Sequence, residues 1–110
     1  MANSAKIAAE PEVDGDKVIV LNVNHPGHTE RADAAKYRDM RVALLRLLPT
    51  RAPGKTQKDI QATIKPLLPE TTFPGGKASG WWAKTVQLDL EARGLVVRHD
   101  TKPLTWTRCR

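Results

Sequence analysis

The chain has 110 residues, 18 Lys+Arg against 12 Asp+Glu, and a formal net charge of +6. That length suits one domain with a modest core. A single cysteine, Cys109, excludes an intramolecular disulfide and points to a reducing interior. No apolar run approaches the roughly 18–20 residues of a membrane span, and no signal-peptide core opens the chain, so a soluble, cytoplasmic protein is expected.

The charge is unevenly spread. Residues 1–16 carry Lys6 against Glu10, Glu12, Asp14 and Asp16, which leaves 17 bases and 8 acids in residues 17–110. A disordered acidic tail (1–16) on a basic domain (17–110) is expected. The stretch Lys17–Val23 is short and β-branched, and predicts a strand. Asn24-His-Pro-Gly-His28 is a turn, and Thr29–Arg31 can return as a second strand. His25 and His28 have only Glu30 and Asp33 near them and no cysteine, a poor ligand set. No metal and no cofactor are expected.

Asp33 is a good N-cap for a helix to about Leu48, with Tyr37, Met40, Leu44, Leu47 and Leu48 inward. Residues Thr50–Lys55 read as a loop. Thr56-Gln-Lys-Asp59 resembles a capping box and opens a second helix, which Pro66 stops or kinks. Pro69–Lys77 is a linker with Phe73 as a core plug. Gly75-Gly76-Lys77 could offer amides to an anion, but lacks the spacing of a phosphate loop.

Residues 78–94 form the third helix, with Ser79 a candidate cap and Gly94 a stop. At about 100° per residue it has two apolar stripes. Ala83, Val86 and Leu90 make one; Trp81, Leu88 and Ala92 make the other. Lys84, Gln87 and Glu91 fill one seam, Asp89 and Arg93 the other. Both flanks are therefore covered, either as a central core helix or with Trp81, Leu88 and Ala92 at an interface. Leu95–Arg98 and Leu104–Arg108 then form a basic hairpin, with Leu104 and Trp106 inward.

The order is strand or hairpin, three helices, hairpin. The phrase Glu91-Ala-Arg-Gly-Leu-Val-Val97 before a hairpin resembles a winged helix over residues 33–108. Residues 18–108 also resemble a family of small, mostly bacterial proteins of unknown function. The matching phrases are Asn24-His-Pro-Gly27, Phe73-Pro-Gly-Gly76, Gly80–Ala92 and Thr101-Lys-Pro-Leu104. The fold class expected is α+β and winged-helix-like, with an N-terminal strand or hairpin and a C-terminal β-hairpin wing.

Two functions compete. One is an interaction module that forms a homodimer or binds a protein partner through Trp81, Leu88 and Ala92. The other is nucleic-acid binding through the wing and the start of the third helix, using Lys77, Lys84, Arg98, Lys102 and Arg108. An apolar stripe flanked by Asp89 and Glu91 suits a DNA groove poorly, which favours the first. No nucleophile motif, catalytic cluster or cofactor fingerprint is present, so an enzyme is not expected.

Overall fold

The structure is a computed structural model that describes residues 7–109. Its elements run β1 (Val13–Asp14), β2 (Lys17–Leu21), β3 (Thr29–Asp33), α1 (Ala34–Leu47), β4 (Lys55–Thr56), α2 (Gln57–Thr63), α3 (Ser79–Ala92), β5 (Val96–His99) and β6 (Thr105–Arg108). Two 3₁₀ turns, Lys65–Leu67 and Pro74–Gly76, link α2 to α3. The fold is α+β: three helices and two small antiparallel sheets, β1-β2-β3 and β4-β6-β5. This order is compatible with the winged-helix-like arrangement expected above.

Local chemistry sets most boundaries. The Asp33 carboxylate accepts from the Lys36 amide at 2.9 Å and caps α1. Thr56 Oγ1 accepts from the Asp59 amide at 3.1 Å and caps α2. α2 ends before Pro66, which sits in the following 3₁₀ turn, where a missing amide costs little. Tyr37, Met40 and Leu44 of α1 meet Ile60 and Ile64 around α2, Ala83, Val86 and Leu90 of α3, and Val18 and Val20 of β2 in one core. Phe73 plugs it from the linker, edge-on to Trp82 at 6.1 Å.

Several expectations change. Residues 55 and 56, read as loop and cap, form a strand because Lys55 and Thr56 pair with Trp106 and Thr105. Ser79 does not cap α3; it is the first helical residue and is buried. The cap position is Ala78, at φ 61°, a left-handed conformation unusual for a residue with a Cβ. Leu104 is 37% exposed rather than inward, because β6 begins only at Thr105 and its three buried residues are Thr105, Trp106 and Thr107.

The acidic segment is also held. Ile19 donates to the Glu12 carbonyl at 2.9 Å, and β1 pairs with β2. Arg41 donates to the Ala9 carbonyl and the Glu10 carboxylate, both at 2.8 Å. Low hydrophobicity suggested a loose tail, but the segment gains backbone partners that its composition cannot reveal. Residues 1–6 of that tail lie outside the described residues.

Gly54 fixes how closely β4 approaches the wing. Its φ is 82°, and a Cβ there would lie 2.5 Å from the Trp106 carbonyl oxygen. Gly54→Ala is expected to lower stability by about 1–3 kcal/mol through backbone strain alone. The check is the midpoint of urea unfolding against that of wild type.

Candidate functional site

The outward flank of α3 is the part of the molecule that both functional expectations concern, and β2 decides its shape. The Leu21 amide donates to Asp89 Oδ1 at 2.8 Å, and Arg93 Nη2 donates to the Ile19 carbonyl at 3.0 Å. The N-terminal sheet is thereby fastened across the carboxy-terminal half of α3. Leu88 and Ala92 are half-buried, and each shares a cleft with Leu21. Trp81, about one turn before Thr85 and about two before Leu88, lines the same cleft as they do and remains 57% exposed. The three residues of the outer stripe thus split between an open tryptophan and two half-buried residues that line clefts beside this chain's own strand.

Asp89 and Arg93 carry that junction. Both are enclosed, with side-chain exposures of 0% and 4%. Arg93 Nε lies 3.0 Å from both carboxylate oxygens. Its Nη1 donates to the Ala8 carbonyl at 2.9 Å and the Glu10 carbonyl at 3.3 Å. The Tyr37 hydroxyl donates to Asp89 Oδ2, and Arg41 Nη1 approaches that hydroxyl at 3.3 Å. Burial first, and then the Asp89 carboxylate, push the Tyr37 pKa from 10.0 to about 12; Arg41 opposes this. The i,i+4 spacing of Asp89 and Arg93 between two apolar stripes was the available sequence signal. Their partners Tyr37 and Leu21 lie too far away in sequence to be read from it.

Beside Trp81 is a cleft of about 290 Å³. Leu21 and Leu88 give it apolar surface, and His25 and His28 of the β2–β3 connection and Glu30 of β3 rim it. Trp81 stands edge-on against Trp82 at 5.2 Å, so its ring is braced at one side and open at the other. His25 and His28 are exposed, with His28 Nε2 3.4 Å from Glu30 Oε2. Among the described residues no group of three His, Cys, Asp or Glu side chains is placed to hold a metal ion.

The expected nucleic-acid set is divided. Lys77, Lys84 and Lys102 are exposed, and none of them forms an ion pair among the described residues. Arg98 pairs with Glu91 at 3.2 Å and lies over the Trp106 ring, 5.9 Å from its centroid. Arg108 donates through Nε to the Leu48 carbonyl at 3.0 Å. The glycine amide considered for an anion is already occupied: Gly75 donates to both Glu70 carboxylate oxygens, at 2.9 and 2.8 Å.

The matched span of a family model takes in β2 through Trp106, and so both sides of this junction. The chain belongs to a family of unknown function, DUF6958, whose model matches residues 17–106. No curated protein and no solved structure matches the chain. The family match includes Trp81, Leu88, Asp89 and Arg93 and assigns none of them a role. Among the described residues, no helix is long and apolar enough to cross a membrane.

Two outcomes test the junction. Asp89→Ala leaves the Arg93 guanidinium buried without its counter-ion, and is expected to cost about 3–5 kcal/mol in urea unfolding. Asp89→Asn keeps an acceptor for the Leu21 amide and loses less. The chain has one tyrosine, so absorbance titration reports Tyr37 alone. It is expected to ionise near 12 when folded. The folded state then holds its proton longer than the unfolded state does. This stabilisation is complete below about pH 10 and falls away as pH rises toward 12. Tyr37→Phe should flatten that decline.

Proposed function

We propose that this protein is a non-catalytic, winged-helix-like interaction module that associates with a second copy of itself through the amino-terminal half of α3. The observation that carries the reading is Trp81, 57% exposed at the rim of a cleft that contains Leu88. Buried tryptophans are the most frequent anchors of protein interfaces. Here the anchor and a receiving cleft lie on one surface. A two-fold contact needs such self-complementarity, because each copy must offer both parts. Leu88 serves as cleft wall rather than as a second anchor, and Ala92 lines a different cleft, with Leu21 and Val23.

Duplex DNA binding is the second reading, supported by exposed Lys77 and Lys84 near the start of α3 and Lys102 in the wing. β2 on the carboxy-terminal half of α3 weighs against it, since a groove-reading helix needs an open face.

Sedimentation velocity over rising concentration tests the first reading. Wild type should form a dimer, and Trp81→Ala should weaken it at least about ten-fold, or 1.4 kcal/mol. Trp81 is exposed, so this variant should fold normally. A wild type that stays monomeric up to about 1 mM, where association worth only about 4 kcal/mol would show, ends the self-association reading. A salt-sensitive shift with duplex DNA in that monomer would favour the second.

A further inference from the structure

On the other side of Leu88 from the tryptophan cleft lies a second cavity, of about 240 Å³. It opens between α3, the start of α2 and the wing. Two glutamines line it, Gln57 and Gln87. Gln87 is only 2% exposed, in the middle of a helix seam that the sequence alone would leave in solvent. Its Oε1 is shielded and meets no hydrogen-bonding group among the described residues. Gln57 Nε2 is in the same position. Buried amide atoms are normally partnered, and two residues lining one small cavity each turn an unpartnered amide atom away from its open space, which needs an account. One lacks a donor and the other lacks an acceptor.

The remaining walls narrow the chemistry. Trp106, Leu104 and Leu88 supply flat and apolar surface. The Trp106 indole is held in place by donating to Glu91 Oε1 at 2.8 Å. Lys84 brings an exposed cation that forms no ion pair among the described residues. Arg98 is committed to Glu91, so Lys84 is the charge available to a guest. The cavity is small for a ligand site, which limits the enclosed part of a guest to about one ring.

We propose that this cavity binds a small organic anion with a planar lactam edge, the chemistry of a pyrimidine mononucleotide. The lactam N–H donates to Gln87 Oε1, and the lactam carbonyl accepts from Gln57 Nε2. Each amide turns toward the guest about its terminal torsion, which is soft in glutamine. The ring lies against Leu104 and the edge of Trp106. The anionic group meets Lys84 at the mouth. This site adjoins the Trp81 cleft across Leu88 but does not depend on self-association.

Nitrogen–proton NMR of the full chain tests it, with three probes: uridine 5′-monophosphate, uridine and inorganic phosphate. The monophosphate should shift the side-chain amides of Gln57 and Gln87 and the Trp106 indole. Uridine should do the same roughly ten-fold more weakly, for want of the charge at Lys84. Phosphate alone should leave these resonances in place. Lys84→Met should reduce the monophosphate to the level of uridine. Gln87→Met, close in shape, should abolish the shifts and raise the thermal midpoint, since an unpartnered buried amide is removed. Unmoved glutamine resonances at millimolar monophosphate overturn the proposal. So does equal response to phosphate alone, or a Gln87→Met variant that binds as before with a lowered midpoint, which would mean the amide is already satisfied by protein or water. Tighter binding of an oligouridylate than of the monophosphate would reassign the cavity to single-stranded nucleic acid and overturn the free-ligand version.

Discussion

The buried pair of Asp89 and Arg93 is the constraint on which the arrangement of this molecule depends. A carboxylate and a guanidinium out of water are tolerable only when every remaining donor and acceptor finds a partner. Here the partners come from Tyr37 on α1, the Leu21 amide and Ile19 carbonyl of β2, and the carbonyls of Ala8 and Glu10. The charges thus specify the position of three separate segments against α3. Apolar packing of Val18 and Val20 would hold the N-terminal sheet near the core; the ion pair sets where along α3 it lies.

That placement shapes the outer face of α3. With β2 fastened near Asp89, the carboxy-terminal half of α3 is covered within the chain, and only the turns around Trp81 and Lys84 remain open. The long link between α2 and α3 is tied down as well, by Phe73 in the core and Glu70 on the Gly75 amide. A helix presented in this way offers a short aromatic edge with a cleft beside it, the feature on which the proposed self-association rests. The wing has its own internal order: Glu91 receives the Trp106 indole and pairs with Arg98, joining α3 to β5 and β6. Arg98 stays exposed but is paired, and Arg108 is tied to the Leu48 carbonyl.

The two-sided character of α3 was legible before any coordinates, because the spacing of Ala83, Val86 and Leu90 against Trp81, Leu88 and Ala92 is a local property of a helix. So were the caps at Asp33 and Thr56, which act over three residues, and the stop imposed by Pro66. What lay over the outer stripe was not legible. Leu88 and Ala92 carry the same pattern whether a strand or a second subunit covers them. Gln87 and Asp89 look like solvent-facing seam residues for the same reason, and only the sheet and wing packed on either side make them interior.

The sequence by itself determined the α+β class, the order of the three helices and the C-terminal hairpin, the caps of α1 and α2 and the absence of any intramolecular disulfide. Those follow from periodicity, capping chemistry and composition, all of which act between near neighbours. The tertiary structure decided that the acidic segment 8–14 is held, that Lys55–Thr56 is a strand, that Arg98 and Arg108 are occupied, and that Trp81 stands open while Leu88 and Ala92 do not. Each of those depends on a partner many residues away, such as Arg93 for Ala8 or Trp106 for Lys55. Local pattern carries no information about which distant group will fill a given hydrogen bond or cover a given face.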